Sequence, residues 1–210
     1  MSFSDKSNLK QRIRDWYARN DAPFTARLDD FIALAEGRIY YGGGASEGDP
    51  LWSPPVRCRA METTSDDIAI TNGVGGLPAD FLEHRALTWK GSSYAQLTYR
   101  EPMSFWASSD VNQAGTTTPT IYTIEGDLIR VAPGATGTIR LSYYKKLAAL
   151  SGDGDTNWFL INHPGIYLHA VMLETGVFAK EAARTQTAIQ QYRAAVTGLV
   201  RTNLTSTFQG

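Results

Sequence analysis

The sequence predicts an α+β fold in which helical pairs at the two ends of the chain enclose an antiparallel β insertion. Three observations support this prediction. Apolar residues recur every three to four positions over roughly the first 40 residues, which is the period of a helix. Between about residues 60 and 147 the period falls to two, as in half-buried strands, and the helical period then returns. The shortest way to bury both pairs is a four-helix assembly from which the β domain projects.

Residues 1–41 are predicted to form an N-terminal helical hairpin. The apolar stripe of the first helix consists of Leu9, Ile13, Trp16 and Tyr17. Pro23 ends this helix, because a proline disfavours helical backbone at the residue before it. Thr25 is then the predicted N-cap of the second helix, and the glycine run 42–44 stops that helix. Two amphipathic helices joined by a short turn form an αα-hairpin.

Residues 42–60 are predicted to be a long exposed loop, because glycine and proline recur there without a helical or strand period. The loop nevertheless contains Leu51, Trp52 and Val56, apolar side chains that a merely solvated loop does not need. Two interpretations are open for these residues: a docking element for a partner, or a local contact with the core of the protein itself. Loops of this length in compact domains are usually mobile or functional.

Residues 61–147 are predicted to form the β insertion, with about five or six short antiparallel strands. Asn72-Gly73 is a turn that ends an early strand, and residues 125–127 lie between two apolar runs and indicate a hairpin. The segment 138–144 is the clearest strand, because it alternates and is rich in β-branched and aromatic residues. Pro102 is predicted to begin one short helix within the insertion.

Residues 148–202 are predicted to form the C-terminal helical pair. Pro164 suits the first position of the first of these helices. The second helix is expected over about residues 181–201, where apolar residues follow the helical period. Residues 203–210 are predicted to be a polar tail. The two apolar residues of this tail are Leu204 and Phe208.

The charges are nearly balanced, since 20 lysine and arginine residues oppose 21 aspartate and glutamate residues, which gives a formal net charge of -1. This balance argues against a protein whose whole surface binds nucleic acid, so any contact with DNA is expected to be non-specific. Cys58 is the only cysteine, and no disulfide forms within one chain. No secretory signal and no apolar run of ~18 residues are found. We therefore expect a soluble protein made in the cytoplasm, with no membrane partner.

No combination of residues predicts a catalytic site, a metal site or a cofactor. Ser46 lies in a G-x-S-x-G sequence, but that motif needs a strand before it and a helix after it. Asp153, Asp155 and Asn157 resemble the start of a calcium loop, yet the twelfth position of the loop falls on Pro164, which has no carboxylate. The three histidines lack the spacing of metal ligands. These histidines are His84, His163 and His169.

Several short segments between about residues 7 and 200 are informative through their order and spacing. They are Leu9, Ile13 and Trp16; residues 31–39; residues 59–63; residues 77–83; residues 119–133; residues 141–151; and residues 156–160, followed by a helix with Leu173 and Glu174. In their order and spacing these segments resemble the head-to-tail adaptor (connector) proteins of tailed phages and phage-like gene-transfer particles. The stretch 42–58 departs from the family pattern, because it looks longer and looser than expected before Arg59.

The resemblance implies a structural protein of the virion, located at the head–tail junction, and not an enzyme. Such adaptors form a ring, usually of twelve copies. The ring binds the portal protein on one side and tail proteins, of the nozzle or the tube, on the other. DNA passes through the ring without sequence readout, and the resemblance implies no cofactor.

Apolar residues in the loop and the tail are the predicted contact residues of this adaptor. Leu204 and Phe208 are the candidates for contact with the portal. Leu51, Trp52 and Val56 are the candidates for contact with tail proteins or with a neighbouring subunit. Both sets lie outside the predicted helices and strands, so they have no place assigned in a predicted core.

Three other functions remain open on the residues alone. The first is a different structural protein of the phage neck or tail tube. The second is a carbohydrate-binding β module, in which Trp89, Trp106 and Tyr94 form stacking platforms. The third is a hydrolase with Ser46 as its nucleophile, which the missing strand and helix around the motif argue against.

Overall fold

The chain divides into two compact units. The computed structural model describes residues 3–91, 94–112 and 118–207. We call residues 1–60 and 147–210 the helical unit, and residues 61–146 the β unit. Long helices belong to the first unit and strands to the second, so the predicted α+β class is confirmed.

Helices α6 and α7 are the longest of the elements described. The α-helices are α1 (Lys6–Tyr17), α2 (Ala22–Thr25), α3 (Leu28–Tyr41), α4 (Pro102–Trp106), α5 (Trp158–Asn162), α6 (Pro164–Ala179) and α7 (Ala182–Thr207). The strands are β1 (Glu62–Thr64), β2 (Ile68–Ile70), β3 (Val74–Gly76), β4 (Phe81–Lys90), β5 (Tyr94–Tyr99), β6 (Ile121–Glu125), β7 (Leu128–Ala132) and β8 (Gly137–Lys145). Within the described residues, no helix combines the length and the apolar character that crossing a bilayer requires.

Aspartates set the beginning of the first two helices. Asp5 has an extended backbone and its carboxylate accepts from Asn8 N–H at 2.9 Å, so it caps α1. Asp21 caps α2 in the same way, by accepting from Phe24 N–H at 3.1 Å. The prediction that Thr25 caps the second helix of the hairpin is wrong, because Asp21 begins a helical turn that includes Thr25.

Helix α1 buries three of its four predicted apolar residues. Leu9, Ile13 and Tyr17 are buried, whereas Trp16 is 50% exposed. Successive residues of a helix are turned by about 100°, so Trp16 lies beside the buried stripe and not on it. The prediction that Trp16 belongs to the core is therefore wrong.

Helix α6 is the centre of the helical unit. It packs against α1, α3, α5 and α7, and its buried residues point in nearly every direction around the helix axis. This is typical of a core helix, since a surface helix has its apolar residues on one side. Pro164 occupies the first turn of α6, as predicted. Helix α7 continues to Thr207, so it includes part of the segment that the sequence predicts as a tail.

A polar network joins α3 to α6 and to the start of α5. The Tyr167 hydroxyl donates to the Glu36 carboxylate at 3.0 Å and accepts from the Asn157 side-chain amide at 2.7 Å. Asn157 also caps α5 by accepting from Leu160 N–H at 3.1 Å. Because buried polar groups are costly when they are unpaired, these partners favour one arrangement of the three helices.

An ion pair joins α3 and α6 at a second point. Arg38 Nε lies 2.6 Å from Glu174 Oε1, and the two side chains are only 12% and 15% exposed. Removing one charge of such a pair costs about 3 kcal/mol, because the remaining charge stays buried without its partner. The pair therefore fixes the position of α3 on α6.

The described strands form one sheet that curls on itself. Their order is β1-β8-β4-β5-β6-β7-β3, and β2 also pairs with β8. The turn at Asn72-Gly73 ends β2, as predicted, and leads directly into β3, which pairs with β7. Strand β2 lies beside β8, near one end of the strand order, and β3 is the strand at the other end. The turn between β2 and β3 therefore brings the two ends of the sheet together. The buried core residues of the sheet are Ile70, Leu87, Trp89, Leu97, Tyr122, Ile129, Val131, Ile139, Leu141 and Tyr143.

The β unit differs from the predicted antiparallel domain in two respects: its described residues form eight strands and not about five or six, and one pair of strands is parallel. Strands β5 and β6 are parallel, with Thr98 opposite Ile121. Helix α4 lies in the connection between them, and such a crossover returns the chain so that the next strand runs in the same direction. The remaining described pairs are antiparallel. The predicted hairpin is confirmed, since Gly126-Asp127 joins β6 to β7, and Pro102 begins α4 as predicted.

Candidate functional site

The glycine-rich segment 42–58 is folded against the helical unit. Gly43 N–H donates to Ser53 O at 3.0 Å, and Ser53 N–H donates to Gly43 O at 2.8 Å, so the segment closes into a loop. Val56 N–H then donates to Ile39 O at 2.8 Å, which returns the chain to α3. The expectation of a loose stretch is wrong, because backbone hydrogen bonds hold the segment to itself and to a helix.

Two arginines hold the tip of this loop by its carbonyl groups. Arg38 Nη1 donates to Leu51 O at 3.0 Å. Arg193, on α7, donates from Nη2 to Pro50 O at 3.1 Å and from Nε to Trp52 O at 2.8 Å. A planar guanidinium offers five N–H donors and therefore suits several carbonyl acceptors at once. The loop is thus fixed to both α3 and α7.

The structure separates the three apolar residues that the sequence predicts for partner contact in this loop. Val56 is buried, so the side chain that the sequence predicts for partner contact is not at the surface of the folded chain. Leu51 and Trp52 are partly exposed. Leu51 also lines a shallow pocket of about 260 Å³ beside Val177 at the end of α6. Leu51 and Trp52 therefore remain the candidates.

The second predicted contact set lies at the end of the chain. The backbone of Leu204 belongs to α7, which runs to Thr207. Phe208 lies outside the described residues. The first part of the predicted tail is therefore the end of a helix that begins in the helical unit.

An apolar groove of about 800 Å³ lies between α1, α6 and α7, and we call it the helical groove. Helix α1 contributes Trp16, which is half-exposed. Helix α6 contributes His169 and Met172, and α7 contributes Ala183 and Thr187. The surface of the groove is mostly carbon, which is typical of a site that another apolar surface covers.

One cation and one histidine give the helical groove its electrostatic character. Arg184 Nε lies 3.0 Å from a Glu181 carboxylate oxygen, and its guanidinium carbon lies 5.0 Å from the Tyr17 ring. The Trp16 and His169 rings meet edge to face, with centroids 6.4 Å apart. Burial lowers the pKa of His169 below its ordinary value of 6.5, so the imidazole is neutral at pH 7.

The helical groove is a feature that the sequence did not reveal. Its residues come from three helices that are distant in the chain, so no local period marks them. One signal was present in α7, where Ala183, Thr187 and Ala188 place small residues on one side of the helix. Small side chains on one helix face leave room for another element to approach.

The β unit exposes a different set of apolar side chains. Met103 of α4 is 88% exposed, and Trp106 and Tyr94 are 50% and 58% exposed. Trp89 is only 4% exposed, because it belongs to the core of the curled sheet. A stacking platform must present a ring face to solvent, so the predicted carbohydrate site built on Trp89, Trp106 and Tyr94 is wrong.

The residues that resemble a calcium loop hold the start of α5 and the first half of α1. Asn157 caps α5, and the Asp155 carboxylate accepts from Gly152 N–H at 2.7 Å. Asp153 Oδ1 lies 2.6 Å from Lys10 Nζ. Among the residues that the structure describes, no three His, Cys, Asp or Glu side chains come close enough together to hold a metal ion.

Comparison with known families agrees with the resemblance. A family model described as SU10 adaptor protein matches residues 4–209, which includes both the helical unit and the β unit. A search of curated proteins finds no match. The predicted resemblance to phage head-to-tail adaptors is therefore confirmed.

The loop 42–58 is expected to tolerate an alanine at Gly48 but not at Gly44. Gly44 has a φ of 82°, and a Cβ there would lie 2.5 Å from the Trp52 Cα. We expect Gly44→Ala to lower the free energy of unfolding by about 2 kcal/mol, because it combines a left-handed backbone with a backbone clash. Chemical denaturation followed by circular dichroism measures this change.

Gly48→Ala is the matched control, since a Cβ there meets only Ser46 Oγ at 3.9 Å. We expect this variant to stay within about 0.5 kcal/mol of the natural chain. Equal effects of the two substitutions would contradict the folded loop described above.

Acidification is expected to destabilise the helical unit partly through His169. Its folded-state pKa lies below 6.5 because of burial, so its contribution to stability is complete above the unfolded-state pKa and is lost as the pH falls through the folded-state pKa. We expect His169→Gln to reduce the loss of unfolding free energy between about pH 7 and pH 5, because glutamine does not take up a proton. Denaturation curves at the two pH values measure this difference. Equal losses of unfolding free energy in the natural chain and the variant would contradict the role given to His169.

Proposed function

We propose that this chain, which belongs to the SU10 adaptor protein family, forms a ring that joins the portal of a phage head to its tail. DNA passes through this ring during ejection. The family match over residues 4–209 is the observation that supports the proposal most directly. The location that follows is the head–tail junction of the virion, with twelve copies in the ring.

Exposed apolar side chains on both units support a role in assembly. Solvent-exposed apolar groups become favourable when a partner removes them from water. The helical unit and the β unit both carry such groups, so both are expected to meet other subunits. The exposed large side chains are Trp16, Leu34, Tyr41, Tyr94, Met103, Trp106, Ile161, Val177, Phe178 and Val200.

The four long helices of the helical unit form the proposed structural base of the ring. Helix α6 packs against α1, α3 and α7, and these contacts support the proposal that the helices from the two ends of the chain form a four-helix assembly. Polar links at Glu36 and Arg38 hold α3 in place. A rigid base favours a ring, because each copy must present its contacts at one angle.

The end of α7 is the proposed portal contact. The helix has 26 residues and is about 39 Å long at 1.5 Å per residue. Its last turns include Leu204, and Phe208 follows directly. Residues 203–210 are therefore proposed to reach the portal, with these two residues as its apolar anchors.

The loop tip is the proposed contact for tail proteins or for a neighbouring copy. Leu51 and Trp52 are partly exposed, and Arg38 and Arg193 fix the backbone on which they lie. A loop that is ordered before binding loses less conformational entropy when it binds. This arrangement supports Leu51 and Trp52 as contact residues.

Paired surface charges support a ring that lets DNA slide. Asp67 contacts both Lys90 and Arg140 on the outer face of the sheet, and these two cations lower the pKa of Asp67. Arg130 likewise lies 2.6 Å from a Glu125 carboxylate oxygen. Cations that already have carboxylate partners hold phosphates less firmly than free ones, so DNA is proposed to pass without sequence readout.

Electron microscopy of the full chain mixed with the portal protein of its phage tests the proposed function. We expect rings of twelve copies docked coaxially on the portal, because an adaptor must continue the DNA channel. Portal alone and chain alone are the controls. Binding at the far end of a tail tube, or no binding to the portal, would overturn the proposal in favour of a different neck or tail protein.

Two variants are expected to separate the two faces of the ring. Deletion of residues 203–210 should abolish binding to portals and leave the helical circular-dichroism signal nearly unchanged. Trp52→Ala should still bind portals but recruit tail proteins at least about tenfold more weakly, as is common for a buried aromatic anchor. Co-sedimentation with portals and with tail proteins measures both effects.

Glu47→Ala is the control for the loop, because Glu47 is an exposed residue of the same segment. It should behave like the natural chain. Normal recruitment of tail proteins by Trp52→Ala would remove the loop tip from the proposed contact, and normal portal binding by the deletion variant would remove the tail.

A further inference from the structure

The outward side of α3 is an unusual surface for an exposed helix face. Asp30, Leu34, Gly37 and Tyr41 are spaced by four, three and four residues, so they lie along one side of the helix. Leu34 is 57% exposed and Tyr41 is 64% exposed. We call these four residues the α3 stripe.

Gly37 has no explanation within the described chain. A glycine inside a helix is destabilising relative to alanine, because it has more conformational freedom to lose on folding. A Cβ at Gly37 would meet nothing within 4 Å, so no packing inside the helical unit requires the glycine. A position without a side chain, between exposed Leu34 and Tyr41, fits the close approach of a second backbone.

The helical groove has the complementary shape. Ala183, Thr187 and Ala188 present small side chains along α7, while Trp16 and Met172 provide larger apolar contacts. Its volume of about 800 Å³ accommodates the side chains of one helix face. The groove is therefore a suitable receptor for a helix with a narrow apolar stripe.

The α3 stripe and the helical groove lie on different sides of the helical unit. Helix α3 contacts α6 through Tyr167, Glu174 and Phe178. The groove is lined by other α6 residues, including Leu168 and Met172. At about 100° per residue these two sets point roughly 120° apart around the α6 axis. The stripe faces outward from α3, so it points away from the groove.

The charges at the two surfaces are also complementary. Asp30 is exposed on the α3 stripe, and Arg12 is exposed on α1, one turn before Trp16 at the groove. Among the described residues, neither Asp30 nor Arg12 has an ion-pair partner. An unpaired carboxylate on one surface and an unpaired guanidinium beside the other favour contact in one orientation.

We propose that the α3 stripe of one copy lies in the helical groove of the next copy, and that this contact builds the ring. The inference rests on the proposed function and names its subunit interface. Two unlike surfaces on different sides of one body make a head-to-tail contact, which closes into a ring when the rotation per copy is a whole-number fraction of a turn. The occupant of the groove is therefore a second copy of this chain.

Disulfide cross-linking tests this contact directly. Cys58 is the only native cysteine and is buried. The cross-links are therefore expected to form between the introduced cysteines. The double variant Leu34→Cys with Thr187→Cys, assembled on portals and oxidised, should give a ladder of covalent multimers on a non-reducing gel. Each single variant should stop at the dimer, because one introduced cysteine per copy joins at most two copies.

A second variant separates assembly from folding. Gly37→Leu should leave the thermal midpoint of the single chain unchanged or raise it, since the position is open and leucine favours helices. The same variant should weaken ring formation at least about tenfold, because the larger side chain blocks close approach. Met103→Glu, which changes an 88% exposed residue of the β unit, should still form rings.

The outcomes distinguish the inference from the proposed function. If the natural chain forms no ring on portals, the proposed function fails and the inference fails with it. If rings form but the double-cysteine variant gives no ladder beyond the dimer, the inference alone is overturned. If Met103→Glu prevents rings and Gly37→Leu does not, α4 and not the α3 stripe meets the neighbouring copy, and the inference is likewise overturned.

Discussion

Arg38 is the side chain on which the arrangement of the helical unit depends. Its guanidinium contacts Glu174 on α6 and the Leu51 carbonyl in the loop, so one group joins three parts of the chain. It also explains the residue at position 43, since a Cβ on Gly43 would lie 2.1 Å from Arg38 Nη1. Charge burial makes this arrangement costly to break. The loop and α3 are therefore held on α6 as one body.

Because Arg38 holds α3 on α6, the two sides of α3 have different roles. The inward side carries Glu36 and Arg38, which hold the helix on α6 through a carboxylate and a guanidinium. The outward side carries Leu34 and Tyr41, which have no core to enter. A helix fixed so firmly from within can offer apolar side chains on its outer side without collapsing around them. The surfaces proposed for assembly thus exist before any partner arrives.

Local signals in the sequence were sufficient for much of the fold, and non-local contacts account for the errors. Turn residues such as Gly126 and helix starts such as Pro102 act on their immediate neighbours, so they could be predicted. The parallel β5–β6 pair and the burial of Val56 depend on contacts between distant segments, which no short pattern encodes. The groove was missed for the same reason. Gly37, a glycine within a helical period, was the one local sign of the α3 stripe.

A single chain already holds its contact surfaces in place through Arg38 and the loop. Amide hydrogen exchange on the isolated full chain tests it most directly. The Gly43 and Ser53 amides donate to each other's carbonyls, so we predict slow exchange at both in the natural chain and fast exchange at both in Arg38→Met. Exchange at the rate of an unfolded chain in the natural protein would contradict a preformed loop, because the loop would then become ordered only on assembly.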